Sequence, residues 1–251
     1  MTPPLNASRS ALIDELTHSG ARLGGTLAAL TGDGLRAASA LPGWTRAHVV
    51  AHLARSADAY RRLLRTARTG AEPGPRPDAG ALTRAVEDSA ARPAPDLVDD
   101  LRDSLATLIE DARSMPATAW DAEVTAAAGW PHPAWFTLYR CWRELETHHT
   151  DLAAGHGPSD WPAPYVAWAL DDTLTTLAAR DFPLGRVDAV DLGRQWTLAP
   201  SGPAVTAPGH AVLAWLTGRA DTTPLTFTDG PLPTPPAWPL PPTRPRPWTW
   251  T

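Results

Sequence analysis

The sequence has no lysine and only one cysteine, Cys141, in 251 residues. A single cysteine cannot form an intramolecular disulfide, which excludes a small fold stabilised by disulfide bonds. The 22 basic residues are therefore all arginine, and the net charge is -5 with no basic stripe. This charge distribution argues against a nucleic-acid partner. The missing lysine, together with the abundance of Ala and Pro, is typical of a GC-rich genome and has no bearing on mechanism.

Long apolar runs are also missing from the chain. No segment reaches the roughly 18 consecutive apolar residues that a membrane span needs. The N-terminal "MTPPLNASRS" lacks the basic and then apolar pattern of a secretory signal. We therefore expect no membrane partner and a cytoplasmic location. Hydrophobic residues at 43% and charged residues at 20% are ordinary for a soluble protein, which can have one large domain or two smaller ones at this length.

The first part of the chain predicts a helical bundle. In "SRSALIDELTHSGARLGGTLAAL", leucines recur near helical spacing, and a second long helix is predicted after the break at "LPGWT". A Gly/Pro-rich loop and a short helix follow, and "PDLVDDLRDSLATLIEDARSM" predicts a third long helix. The last long helix is predicted over "PAWFTLYRCWRELETHHTDLAAG". Four long amphipathic helices and one short helix are typical of a bundle.

The composition changes after "GHGPSDWPAP", which predicts a second domain. One helix near residues 165–179 is followed by "VDAVDLGRQWTLAP", which alternates like a strand, then by a helix in "GHAVLAWLTGR" and a strand in "PLTFTDGPLP". We predict a helical bundle over residues 1–157 and a small α/β domain over residues 158–251. The ending "PTPPAWPLPPTRPRPWTWT" is too rich in proline to fold independently and is predicted to be an extended tail.

The stretch "WRELETHHTDL" in the last bundle helix contains two carboxylates and two histidines. Glu144 and His148 are four residues apart, and Glu146 and His149 are three apart, so each pair projects from one helix face. The two pairs flank opposite edges of the apolar stripe. Periodicity alone therefore does not choose between them, and a solvated polar face is a further interpretation.

The second predicted helix offers "HVVAH", with His48 and His52 one turn apart. His52 borders the apolar stripe of this helix, whereas His48 lies further round, so His52 is the better candidate to face inward. One histidine from this helix with a Glu/His pair from the other would form a set of three ligands. Three protein ligands and one open position are typical of a catalytic zinc.

Several stretches resemble the mycothiol-dependent maleylpyruvate isomerase family. "LPGWTRAHVVAHLARSADAYRRLL" is similar to its first signature, and "RELETHHTDLAAG" is similar to its second. Both signatures also resemble those of the wider DinB-like metalloenzyme group. "GHAVLAWLTGR" with "GPLPTPPAWP" resembles its small second domain. The resemblance spans residues 10–240 and implies a mostly α fold, with an N-terminal DinB-like four-helix bundle and a small C-terminal α/β domain.

The resemblance also implies a divalent metal, usually zinc, bound by His52, Glu144 and His148. Glu146 and His149 would then be solvated or would orient a ligand, and His48 would be a helix-surface residue. The family often has an arginine for an anionic substrate after the second helix. Here the similar segment is "GALTRAVEDSAARP", in which Arg84 is out of register. Either Arg84 binds the substrate, or it is a solvated residue and the substrate differs.

Three further residue types are interpreted as structural. Cys141 is expected in the core, where a free cysteine behaves as a small hydrophobe, so it is a poor nucleophile. Trp44, just before a helix start, is interpreted as a packing anchor. Arg140 and Arg143 border the candidate ligands and are interpreted as structural partners of Glu144 or Glu146.

The activity implied by the resemblance is an isomerase or S-transferase that uses mycothiol as thiol co-substrate. A metal-bound thiolate would attack an electrophilic small molecule, because coordination lowers the pKa of a thiol. Maleylpyruvate is one candidate, and no catalytic side chain beyond the metal-bound thiol is implied. Two alternatives stay open: a zinc-dependent hydrolase that uses metal-bound water, and a non-enzymatic binding module. Neither the oligomeric state nor the native metal follows from the sequence.

Overall fold

The computed structural model describes residues 5–72, 74–75 and 77–241. In this part of the chain, six α-helices come first and are followed by a segment that contains both helices and strands. They are α1 (Leu5–Ala28), α2 (Gly32–Arg36), α3 (Arg46–Thr69), α4 (Ala79–Ala90), α5 (Ala94–Arg113) and α6 (Phe136–Asp151), with a hairpin of β1 (Glu123–Thr125) and β2 (Pro131–Pro133) before α6. None of the helices in the described ranges combines the length and the apolar character of a membrane span.

The four long helices α1, α3, α5 and α6 form the bundle. Helix α3 packs on α5 and α6, and α1 packs on the same two helices, so each long helix has two long neighbours. The seams are filled by fully buried leucines that recur at helical spacing, as in α1, where Leu12, Leu16 and Leu23 are each 1% exposed. Helix α4 packs on α3 outside this ring. The predicted four-helix bundle is confirmed.

The remaining described residues form a small α/β unit. It contains α7 (Ala163–Ala178), β3 (Arg186–Ala189), β4 (Arg194–Thr197), β5 (Ala204–Ala207), α8 (Gly209–Leu216) and β6 (Thr226–Thr228). The strand order is β4-β3-β5-β6, in which β3 and β5 are parallel and the other pairs are antiparallel. Helix α8 packs on α7 and on the central strands. The predicted mostly α fold with a small α/β part is confirmed.

Two local predictions in this unit need correction. The stretch predicted as one strand is a hairpin of β3 and β4, because the chain reverses at Gly193, which has a φ of 59°. Strand β5 was not predicted, since it is only four residues long and two of them are alanine. It is a strand because it pairs with β3, which is distant in sequence, and the local alternation of residues cannot reveal such a pairing.

The chain divides into two compact units, with the change between His156 and Gly157. This lies one residue before the predicted boundary of 157/158, and independent folding of each unit stays a prediction. The predicted tail begins within the second unit, where Arg180 donates a hydrogen bond to the carbonyl of Pro241 at 2.8 Å and Arg219 lies over the Trp238 ring. The rest of the predicted tail, residues 242–251, lies outside the described residues.

Candidate metal centre

Helices α3 and α6 bring three candidate ligands together. The Nε2 atom of His52 lies 3.0 Å from Oε2 of Glu144, and Nε2 of His148 lies 3.2 Å from the same oxygen. The three ligand atoms all lie within 4.8 Å of one another. The imidazole rings of His52 and His148 meet edge to face, with centroids 4.7 Å apart. Two imidazole nitrogens and one carboxylate oxygen are a donor set suited to zinc.

The buried carboxylate of Asp151 orients His148. Its Oδ2 accepts a hydrogen bond from Nδ1 of His148 at 2.9 Å, and the Asp151 side chain is 3% exposed. With the Nδ1 proton held by Asp151, Nε2 is the nitrogen that faces Glu144, and it can bind a metal once its own proton is displaced. A carboxylate behind a histidine ligand is a recurrent arrangement at protein metal sites.

The charges of the cluster stabilise one another without a metal. Burial disfavours the charged form of Glu144, but hydrogen bonds from His148 and His52 outweigh it and hold the pKa of that carboxyl well below its usual range. Burial also disfavours protonated His148, but hydrogen bonds and charges from Asp151 and Glu144 raise its pKa to about 9. A divalent cation would take the place of these protons.

Trp44 and Ser56 also contact His52. The Trp44 ring lies 5.5 Å from the His52 ring and 6.2 Å from the His48 ring, between centroids. The Ser56 hydroxyl lies 3.5 Å from Nε2 of His52. Sequence reasoning interpreted Trp44 as a packing anchor and did not single out Ser56. Helical spacing from His52 could have indicated Ser56, whereas the position of Trp44 depends on the preceding turn.

His48 lies outside the cluster. Its Nδ1 accepts a hydrogen bond from the backbone N–H of Thr45 at 3.2 Å and lies 2.7 Å from the Thr45 hydroxyl, which completes a capping box at the start of α3. Its Nε2 lies 3.1 Å from Glu87 of α4. The structure therefore gives His48 a role in capping α3 and joining it to α4.

The expectation that Glu146 and His149 are solvated is wrong. Glu146 is 1% exposed and accepts hydrogen bonds from Ser19 and from Arg22 at 2.6 Å. Burial raises its pKa, although the two partners lower it in part. His149 is 2% exposed and has its Nε2 2.7 Å from the Thr26 hydroxyl. These side chains face α1, which covers the side of α6 opposite to the candidate ligands.

The other residues singled out from the sequence lie as follows. Arg84 is an exposed residue of α4, three positions before Glu87, and its role in binding substrate stays a prediction. Cys141 is buried, and burial with the negative charge of Glu144 raises the pKa of its thiol far above the usual range. A buried thiol that stays protonated is a poor nucleophile at neutral pH, as the sequence predicted. Arg143 is buried, whereas Arg140 is half-buried.

Together, these features define a four-helix bundle with a candidate His/Glu/His metal centre between two facing helices. The model of the family described as mycothiol maleylpyruvate isomerase N-terminal domain matches residues 16–153, which is more than half of the chain. The chain therefore belongs to this family, and the resemblance seen in the sequence is confirmed. No curated protein matches the chain.

Two solved structures have a similar fold. One is the crystal structure of the mycothiol-dependent maleylpyruvate isomerase, which superposes with a TM-score of 0.81 at 24% identity. The other is a mutant of that enzyme with one histidine replaced by alanine, at 23% identity and the same TM-score. Each match covers 92% of this chain and 97% of the solved chain. The likeness therefore extends over both compact units.

Proposed function

We propose that this protein is a metal-dependent enzyme that uses mycothiol as thiol co-substrate, as an isomerase or S-transferase of the maleylpyruvate isomerase type. Family membership and the fold shared with an enzyme named for mycothiol and maleylpyruvate support this function. Its partners would be a small-molecule thiol and an electrophilic small molecule. We retain the expectation of a cytoplasmic location.

One observation carries the proposal: His52, Glu144 and His148 place three ligand atoms within 4.8 Å of one another. Two nitrogens and one oxygen fit a zinc ion better than a magnesium or calcium ion, which prefer oxygen ligands. When bound there, zinc would lower the pKa of a coordinated thiol and so supply a thiolate at neutral pH.

The chain's own residues would prepare this chemistry. Asp151 would keep the Nδ1 proton on His148, so that Nε2 stays an acceptor for the metal. The Trp44 ring packs against His52 and would restrain the orientation of its imidazole. The Ser56 hydroxyl, beside Nε2 of His52, can donate a hydrogen bond to a group held at the cluster. The buried, protonated Cys141 would not compete with the external thiol.

Metal content of the purified protein tests the proposal most directly. We expect about one zinc per chain in the wild type and loss of both zinc and activity in His52→Ala and His148→Ala. The matched control is His18→Ala, an exposed histidine of α1 that should leave zinc content unchanged. A wild type that binds no zinc after reconstitution, or a His52→Ala variant that keeps full zinc and turnover, would contradict the assignment.

Dependence on the thiol separates the proposed enzyme from a zinc hydrolase. We expect turnover of maleylpyruvate, or of another electrophile with an activated double bond, only when mycothiol is added. Turnover that needs zinc but no thiol would favour the hydrolase, which uses bound water. Zinc binding without any turnover across a panel of electrophiles would favour the binding module.

A further inference from the structure

Arg140 lies one helical turn before Glu144 on the face of α6 that carries the candidate ligands. Four residues of α-helix correspond to about 6 Å along the axis. The guanidinium of Arg140 packs over Tyr60 of α3, which follows His52 by two turns, with Ser56 between them. Arg140 and Tyr60 therefore lie on the same seam between α3 and α6 as His52, Glu144 and His148.

Three side chains hold the guanidinium in place. Its Cζ atom lies 5.0 Å from the centroid of the Tyr60 ring and 4.8 Å from that of the Trp130 ring. Its Nη1 donates a hydrogen bond to Nε2 of His132 at 3.1 Å. The Nδ1 of His132 in turn donates to the carbonyl of Pro133 at 2.9 Å. A guanidinium supported in this way loses little conformational entropy when it binds a ligand.

No carboxylate neutralises Arg140 within the described ranges. Other arginines of the bundle have such partners: Arg55 pairs with Asp100 at 2.7 Å and Arg22 with Glu146 at 2.6 Å. The three contacts of Arg140 are instead uncharged at neutral pH, since burial lowers the pKa of His132 to about 4 and raises that of Tyr60. The nearest carboxylate along its own helix face, Glu144, is engaged by His52 and His148.

We propose that Arg140 binds a carboxylate of the electrophilic substrate and so selects for anionic substrates. This inference rests on the proposed function, because it treats the His/Glu/His cluster as the place of reaction. A planar guanidinium binds a carboxylate through two parallel hydrogen bonds, which fixes orientation as well as charge. With the carboxylate at Arg140, the reacting carbon of a substrate a few bonds long would lie near the cluster, one turn away. Arg84 on α4 is then not needed for this contact.

Binding of maleate, a cis-alkene dicarboxylate, tests the inference without thiol or turnover. Isothermal titration of the zinc-loaded protein should show maleate binding, with much weaker binding of its uncharged dimethyl ester. Arg140→Gln should weaken maleate binding at least tenfold, and Arg140→Lys, which keeps a point charge, by less. The matched control is Arg102→Gln, an exposed arginine of α5 whose side chain is 68% exposed, which should bind maleate like the wild type.

The wild type supplies a second measurement that does not depend on the folding of a variant. Maleate should slow modification of Arg140 by phenylglyoxal, read by peptide mass spectrometry, and should leave Arg102 unaffected. The inference is overturned if maleate fails to bind the wild type or to protect Arg140. It is also overturned if Arg140→Gln, folded and zinc-loaded, binds maleate normally, or if only Arg84→Gln weakens binding.

The two proposals fail in different ways. If maleate binding depends on Arg140 but no thiol-dependent turnover is found, the anion site stands and the proposed function is wrong. If the wild type turns over an anionic electrophile and Arg140→Gln leaves its KM unchanged, the function stands and the role of Arg140 is wrong.

Discussion

Single residues of α6 differ in role according to the direction of their side chains. Glu144 and His148 point to α3 and meet His52, whereas Glu146 and His149 point to α1 and meet Ser19, Arg22 and Thr26. Both pairs are polar, and burial disfavours the charged carboxylate in both. Only the first pair combines with a histidine from another helix. The second pair joins two helices of the bundle.

Asp151→Asn should weaken zinc binding. An amide at this position cannot hold the Nδ1 proton of His148 with the strength of a carboxylate, so His148 loses both its orientation and part of its basicity. We expect a loss of roughly tenfold to 100-fold in zinc affinity, the usual effect of removing a group that orients a ligand. Competition with a chromophoric chelator measures this affinity.

The control for Asp151→Asn is Asp103→Asn, an exposed aspartate on α5 that should leave zinc affinity unchanged. Equal zinc affinity for the wild type and Asp151→Asn would show that His148 needs no support from this carboxylate.

At the scale of elements, the α1–α6 contact depends on a polar cluster of Ser19, Arg22 and Glu146 as well as on leucines. Glu146 is 1% exposed, and Arg22 is the cation of α1 that pairs with it. An ion pair of this kind contributes little compared with an apolar contact of similar size, but removal of one partner leaves a buried charge. The cluster therefore makes the α1–α6 contact sensitive to a single substitution.

Arg22→Ala should lower the free energy of unfolding by about 2 kcal/mol. Removal of one partner of a fully buried pair costs roughly 3–5 kcal/mol, and the effect is smaller here because the Arg22 side chain is 37% exposed. Urea unfolding at neutral pH measures the change. Adding Glu146→Gln to Arg22→Ala should recover part of the loss, because the buried charge is then gone.

Arg102→Ala is the control for Arg22→Ala. It removes an arginine from a solvent-exposed pair with Asp99, which is worth less than about 1 kcal/mol. If Arg22→Ala were no more destabilising than Arg102→Ala, the Arg22–Glu146 pair would not contribute to the α1–α6 contact.

At the scale of the whole molecule, the chain divides into two compact units. The candidate ligands all belong to the first unit. The sheet of the second unit brings two backbone segments very close at Gly185, where an added Cβ would lie 2.6 Å from the carbonyl oxygen of Gly202. A backbone atom cannot move aside as a flexible side chain can, so this position requires glycine.

Gly185→Ala should destabilise the second unit by about 2 kcal/mol, within the range of other steric substitutions in cores. Zinc content should be unchanged, because the ligands lie in the other unit. Calorimetry together with zinc analysis measures both quantities. The control is Gly24→Ala in α1, where nothing lies within 4 Å of the added Cβ and alanine should stabilise the helix by about 0.5–1 kcal/mol. An unchanged transition in Gly185→Ala would contradict the close approach.

The sequence by itself determined the helices and the spacing of the candidate ligands. Periodic leucines predicted α1, and the one-turn spacing of Glu144 and His148 placed them on one helix face. These features are local, because they depend on 3.6 residues per turn and on nothing outside the helix. The bundle follows from them, since four apolar stripes can only be buried against each other.

Only the tertiary structure decided which polar face meets which neighbour. Glu144 and Glu146 lie at opposite edges of one apolar stripe, so periodicity alone could not show which of them faces α3. They differ in role because α3 packs on one side of α6 and α1 packs on the other. The pairing of strand β5 and the surroundings of Arg140 were likewise decided by the tertiary structure, because their partners are distant in sequence. A periodic pattern shows which residues share one face of a helix or strand. Which other element packs against that face depends on the path of the whole chain.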